Sequence, residues 1–246
     1  MNPIILIPAR MAASRLPGKP LADIAGVAMV VRVWRQALQA DIGPVVVAAA
    51  EAEIVQAVTG EGGRAVLTDR ALASGSDRIL AALAIVDPDG RHDVVVNLQG
   101  DMPFVDPAAP SACVALLERE EACDIATLAA AESSPDDRTN PDVVKAILAL
   151  DPGGASGRAL YFTRSTLHGE GSVWRHIGLY AYRRAALERF TAAQPSPLER
   201  REGLEQLRAL ELGLSIHAAI VDEAPLSVDN ARDLAAARAF AQERDL

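Results

Sequence analysis

The chain has 246 residues, half of them apolar, with 33 acidic against 24 basic side chains and a formal net charge of −9. That length can bury one large core or two small ones, and the acidic balance argues against a general nucleic-acid binder, which carries a basic face. No apolar run reaches the length of a membrane-spanning helix, and no basic segment leads into a signal-type apolar stretch, so an uncleaved cytoplasmic protein is expected.

The first element is IILIP (Ile4–Pro8), a continuously apolar, β-branched run that predicts a strand buried on both faces. RMAASRLPGKP (residues 10–20) follows, and its Arg10, Arg15 and Lys19 concentrate positive charge in an acidic chain. Open α/β sheets bind ligands beyond the C-terminal ends of their strands. Small phosphorylated ligands suit this loop better than polynucleotides do. Pro17 and Pro20 restrict the backbone, Gly18 lets it approach a ligand, and arginine forks match phosphate oxygens. The loop is neither GxxxxGK[ST] nor GxGxxG, and its composition alone also fits an exposed basic loop.

MVVRVWRQALQA (29–40) and EAEIVQAVTGEG (51–62) read as helices, and PVVVAAA (44–50), RAVLT (64–68) and DVVVNLQGD (93–101) as strands. This alternation with short connections predicts a parallel sheet. ASGSDR (73–78) is a small-residue turn opening toward a helix, where Ser74, Gly75 and Ser76 expose backbone groups and Arg78 can hold a base or phosphate. Helix capping alone explains the same turn. NLQGDMP (97–103) places Asp101 past a strand end, where a carboxylate beside a polyphosphate suits magnesium or simply makes a turn. Cys113 and Cys123 have no metal or redox spacing and read as small buried apolar residues.

Beyond residue 120, CDIATLAAA (123–131) and VVKAILAL (143–150) read as strands, and DPGGASG (151–157) as a turn before RALYFTRST (158–166). WRHIGLYAYRRAALERF (174–190) reads as a strand and then a helix. PLERREGLEQLRALELG (197–213) reads as one helix with Leu204, Leu207 and Leu210 at core spacing. SIHAAIV (215–221) is a late strand and NARDLAAARAFAQERD (230–245) a closing helix, with Asp229 before it as metal ligand or N-cap. One α/β domain over 1–246 is expected, with a mostly parallel central sheet, helices on both faces and an embedded mixed-sheet subregion at about 121–190.

PARMAASRLPGKPL, SGSDR, NLQGDMP, NPDVVK, ALYFTRST, RHIGLYAYR, SPLERREGLEQLR and VDNARDL stand in the order found in CMP-Kdo synthetases, the 3-deoxy-manno-octulosonate cytidylyltransferases. The chain resembles that family from Ile4 to about Arg238. The resemblance implies a Rossmann-like nucleotidyltransferase that joins CTP and Kdo, with Mg2+, to give CMP-Kdo and pyrophosphate for lipopolysaccharide biosynthesis. It also implies a homodimer, with sugar binding and dimerisation in the 121–190 subregion, and no membrane or nucleic-acid partner.

Residue by residue, the resemblance implies that Arg10, Arg15 and Lys19 hold the triphosphate, and that Ser74, Gly75 and Arg78 contact cytosine and ribose. Asp101 and Asp229 match magnesium ligands and, with Lys19 and Arg10, make the implied catalytic set. Gln99, Arg164, His176, Glu205 and Gln206 match sugar contacts, with Tyr180 nearby. A sugar acid has a carboxylate and many hydroxyls, so Arg164 and His176 suit the former and Glu205 and Gln206 the latter. The alternatives are another sugar acid (a sialic acid or amino-substituted Kdo), a sugar-1-phosphate nucleotidyltransferase, and a non-catalytic nucleotide-binding module.

Three positions, at two places, depart from the family pattern. Ala49 and Ala50 stand where members often carry a Thr-Asp or Ser-Asp pair, so its polar contact is missing or supplied by Glu51. Met102 replaces an acid and therefore ligates no metal.

Overall fold

Ile4, Ile5, Leu6 and Ile7 are fully buried, as an apolar run without polar alternation requires when both sheet faces are covered. They form β1 (Pro3–Ala9) in a computed structural model that describes residues 1–12, 15–132 and 134–244. The short pair β2 (Asp23–Ile24) and β3 (Val27–Ala28) follows, then α1 (Met29–Gln39), β4 (Val45–Ala49), α2 (Ala52–Gly60), β5 (Arg64–Leu67), α3 (Gly75–Val86) and β6 (Val94–Asn97). The strands stand in the order β5-β4-β1-β6, all parallel, with Ile5 beside both Val45 and Val96. In this register Ala9, Ala49 and Leu67 end at one edge. The loops that begin at Arg10, Ala50 and Thr68 therefore leave from the edge where open parallel sheets bind ligands.

The chain divides into two compact units, Met1–Pro110 with Pro225–Leu246, and Ser111–Ala224. α4 (Ala108–Arg119) leads into the second, which contains β7 (Ile125–Ala131), β8 (Lys145–Leu150), β9 (Ser156–Thr163) and β10 (Trp174–Arg183). α5 (Arg184–Ala192), α6 (Pro197–Glu202), α7 (Gln206–Glu211) and β11 (Ile216–Val221) complete it. Its strand order is β10-β7-β11-β9-β8, with β7 and β11 parallel and the other neighbours antiparallel. Trp174 and Arg175 of β10 also pair with Ala146 and Lys145 of β8, so the five strands close on themselves. The mixed-sheet subregion expected at 121–190 lies in this unit.

The single helix expected over 197–213 is two helices. Gly203 adopts a left-handed conformation (φ 66°), which ends α6, and the Gly203 and Leu204 amides both donate to the Glu199 carbonyl. α6 starts at a capping box between Ser196 and Glu199. The break makes Glu205 the N-terminal flank of α7, with the buried Gln206 its first residue.

α8 (Ala231–Glu243) completes the first unit. Leu234, Ala237 and Ala241 on its inner face pack with Ile24, Met29 and Val228, and Leu16 and Phe104 join the cluster. Burying a side chain of leucine size contributes about 1.5–3 kcal/mol, so Leu16 anchors one end of the cationic loop. Both cysteines are buried free thiols, and burial raises the pKa of each. Among the described residues, no helix is long and apolar enough to cross a membrane.

Candidate active site

The cationic loop folds back on itself. The Gly18 amide donates to the Met11 carbonyl at 3.0 Å, and Gly18 takes the left-handed conformation (φ 73°) that precedes a 3-10 turn over Lys19–Leu21. Ala13 and Ser14 of this loop lie outside the described residues. A buried carboxylate pins the loop from below: Glu51 Oε2 accepts from the Met11 amide at 2.9 Å, while Oε1 lies 3.5 Å from Arg70 Nη2. Ala49 and Ala50 are buried in the sheet. The polar role in this stretch thus falls to Glu51, which binds the loop backbone.

Past β6, Gly100 runs so close to β1 that a Cβ there would lie 2.8 Å from the Pro8 carbonyl oxygen, so only glycine fits. That approach sets Asp101 opposite the cationic loop. Lys19 Nζ lies 3.0 Å from Asp101 Oδ2 and 3.3 Å from Asp229 Oδ1, and Arg15 Nη2 is 3.3 Å from the same Asp229 oxygen. The Val228 amide donates to the Asp101 carbonyl at 2.9 Å, which ties the segment before α8 to the β6 loop. Asn230 caps α8 by accepting from the Arg232 and Asp233 amides, so the Asp229 carboxylate serves Lys19 and Arg15. Burial pushes the Asp101 carboxyl above the ordinary range, against the opposing pull of Lys19. Met102 is buried core.

At the head of α3, Ser74 Oγ caps the helix by accepting from the Asp77 amide at 3.0 Å, and Gly75 faces Pro8 and Gln99. Arg78 is 2% exposed, and its Nη1 donates to Thr68 Oγ1 at 2.7 Å and to the Asp69 carbonyl at 3.1 Å. Its Nη2 has no hydrogen-bond partner among the described residues. An orphaned buried donor is costly unless a ligand or water completes it. Arg10, Arg15, Lys19, Ser74, Gly75, Arg78, Gln99, Asp101 and Asp229 all line one cavity of about 290 Å³.

The second unit holds its polar residues differently. β10 bulges between Ile177 and Tyr180, and the buried Thr127 hydroxyl reaches the Leu179 carbonyl at 2.8 Å, the Ile177 carbonyl at 3.1 Å and His176 Nε2 at 3.0 Å. With its proton given to a carbonyl, that hydroxyl accepts from Nε2–H and leaves Nδ1 as the free acceptor. His176 packs edge-on to Phe162 at 4.8 Å and beside Tyr180 at 5.5 Å. Desolvation pushes its pKa down to about 3, so the imidazole is neutral at pH 7 and offers a ligand hydrogen bonds without positive charge.

Arg164 lines an open depression with Pro141, Ser165, Arg201 and Glu202. Its backbone is clamped on both sides. The amide donates to Glu202 Oε2 at 3.2 Å, and the carbonyl accepts from the buried Lys145 Nζ at 2.9 Å. Its Nη1 donates to the Pro141 carbonyl at 2.9 Å. Glu205 pairs with the buried Arg208 at 3.0 Å, and that guanidinium also engages Glu199 and lies over the Phe190 ring.

A family model described as cytidylyltransferase matches residues 4–216. The chain belongs to the cytidylyltransferase family. A 3-deoxy-manno-octulosonate cytidylyltransferase of Rhodospirillum centenum is 60% identical over 99% of this chain and 95% of its own length. One from Parvibaculum lavamentivorans is 56% identical over 100% of this chain and 95% of its own. The solved structure of a CMP:2-keto-3-deoxy-manno-octonic acid synthetase complexed with CTP superposes with a TM-score of 0.90 at 34% identity, over all of both chains. A 4-diphosphocytidyl-2C-methyl-D-erythritol synthase from Anaerococcus prevotii, at 12% identity and a TM-score of 0.65, shares the fold.

Within this cytidylyltransferase, the nine expected nucleotide, metal and Gln99 positions meet in the first unit's cavity, while Arg164, His176, Tyr180, Glu205 and Gln206 are carried by the second unit. Sequence reasoning missed the supports: Thr68 under Arg78, Thr127 under the β10 bulge, Lys145 and Glu202 around Arg164, and Arg208 beside Glu205. NPDVVK and LEQLR contain Lys145 and Arg208. Only their burial shows that these cations face inward.

Proposed function

We propose that this enzyme joins CTP and Kdo to give CMP-Kdo and pyrophosphate, with Mg2+ as its metal. The cavity that gathers three cations, two carboxylates and an orphaned arginine donor at one sheet edge carries the reading, supported by 60% identity to a 3-deoxy-manno-octulosonate cytidylyltransferase. Arg10, Arg15 and Lys19 bind the triphosphate and take up the negative charge that grows on departing pyrophosphate. Arg78 Nη2 finds its missing acceptor on the nucleotide. Ser74 is committed to its cap, so this turn meets the ligand through backbone groups and Gly75. The anomeric 2-hydroxyl oxygen bonds to the α-phosphorus as the bond from that phosphorus to the pyrophosphate oxygen breaks, and the hydroxyl proton leaves to solvent.

Asp101 and Asp229 present hard carboxylate oxygens within reach of one shared cation, a donor set that fits magnesium. Magnesium, when bound, screens the triphosphate and orients it for displacement. Arg164 binds the sugar-acid carboxylate, His176 and Tyr180 supply neutral hydrogen-bonding groups, and Gln99, Glu205 and Gln206 read hydroxyls. The enzyme acts as a cytoplasmic homodimer in lipopolysaccharide synthesis. Leu150 and Leu160, 42% and 48% exposed on the paired strands β8 and β9, are apolar surface that a second copy would cover.

The test is pyrophosphate release with CTP and Mg2+, with Kdo compared against N-acetylneuraminic acid and 8-amino-Kdo. Release with Kdo is expected. Release with another acid alone would overturn the sugar assignment, and silence with all three the activity itself.

A further inference from the structure

Lys19 occupies a place that a triphosphate-binding role does not by itself explain. Its ammonium sits between the two carboxylates assigned to the metal, 3.0 Å from Asp101 and 3.3 Å from Asp229. Arg15 adds a second cation at 3.3 Å from the same Asp229 oxygen. The backbone bond from Val228 to Asp101 holds the aspartates together at a spacing that suits a single cation, and that cation belongs to the chain. We infer that Lys19 is a built-in counter-ion at the metal position, and that the divalent ion enters only when a nucleotide triphosphate draws Lys19 away. The inference rests on the assignment of Asp101 and Asp229 as metal ligands.

Two observations and the coordination chemistry of magnesium lead to it. The side chains of Lys19 and Asp101 are only 17% and 22% exposed, so neither charge is left fully hydrated if the other departs unreplaced. Among the described residues, no group of three or more His, Cys, Asp or Glu is placed to hold a metal. Magnesium held by one or two carboxylates completes its shell with water and substrate phosphates. Two carboxylates already balanced by the Lys19 ammonium and the Arg15 guanidinium therefore attract a free dication weakly.

A triphosphate removes both obstacles at once. It offers Lys19 alternative anionic oxygens and offers the metal its missing ligands. Lysine suits the exchange because its compact charge rides on a flexible four-carbon stem. Metal and nucleotide then bind with positive coupling, each strengthening the other.

The test measures Mn2+ binding to the full chain without nucleotide, from the paramagnetic resonance signal of the free ion. Wild type should bind weakly. Lys19→Met should bind roughly tenfold tighter or more, because a positive charge within a few ångströms of the dication is gone. Lys19→Arg, which keeps the cation, should stay near wild type. Equal affinity in wild type and Lys19→Met would overturn the counter-ion role. Adding Asp101→Asn to Lys19→Met should abolish the gain. If that double variant kept the gain, the metal would lie elsewhere and the aspartate assignment itself would fall.

Discussion

Lys19 in the first unit and Lys145 in the second are both largely removed from water, yet they are satisfied in opposite ways. Lys19 is held by two carboxylate side chains on separate loops, and among the described residues no backbone group accepts from its ammonium. Lys145, fully buried, gives its hydrogen bonds to the carbonyls of Asn140, Val143 and Arg164. Side-chain partners can be exchanged for a ligand at small cost, because the loops that carry them stay in place. Carbonyl partners cannot, because releasing them orphans buried backbone. The first arrangement is therefore fit to bind and release, and the second to hold Arg164 still.

The sharpest way to break this comparison is Lys19→Ala. Loss of one preorganised charge stabiliser should lower kcat/KM by ~10²–10³, with weaker CTP binding and no loss of fold by circular dichroism. Steady-state kinetics near the wild-type value would remove Lys19 from the triphosphate. Lys145→Met should show the reverse emphasis. Leaving buried carbonyls unpaired costs roughly 1–3 kcal/mol, read as an earlier urea midpoint, and KM for Kdo should rise more than KM for CTP. Equal changes in the two KM values would show that Lys145 does not position Arg164.

His176 should make stability depend on pH. Its folded pKa, about 3, lies below the ordinary 6.5, so between those values the unfolded chain binds a proton that the folded chain does not. Stability must then fall as pH drops through this window, with a slope of up to about 1.4 kcal/mol per pH unit. Urea unfolding at pH 7 and pH 5 should show the loss in wild type and less of it in His176→Asn. An identical loss in both would mean that the imidazole is hydrated in the folded state.

Glu202 should contribute the smallest effect. Burial raises its pKa, but bonds from the Arg164 amide, Thr163 and Tyr161, together with Arg201, outweigh burial and lower it. Its stabilisation is therefore present above the ordinary pKa of 4.5 and lost as pH falls below that toward the folded value. Glu202→Gln should cost about 1 kcal/mol at pH 7 and flatten stability below pH 4.5. An unchanged acid limb would place that loss on other carboxyls.

Much of the first unit was legible because its determinants are local. A β-branched run followed by a glycine-containing loop with charged side chains, cations after IILIP and a carboxylate in DVVVNLQGD, could each time be read without knowing what lay beside it. The strands of the second unit were legible in the same way, but its helix break and its bulge were not. The helix break at Gly203 is local in origin but competes with the leucine spacing that runs through it. The β10 bulge depends on Thr127 across the strand pair, and nothing in RHIGLYAYR announces it. The helix-cap reading of Asp229 likewise lost to Asn230, one residue on, once packing turned Asp229 toward Lys19.

By itself, the sequence determined the buried strands, the placement of cations after the first and of an acid after another, and, through ordered motifs, the family. Tertiary structure alone decided that Lys19 and Asp229, 210 residues apart, share an ion pair. It also decided that one Arg78 donor has no partner among the described residues, that His176 is neutral, and that Lys145 and Arg208 are scaffolding cations. The physical reason is that residue type sets what a side chain can donate, accept or bury. Its charge state and partners are set by the dielectric and the neighbours that long-range packing brings to it.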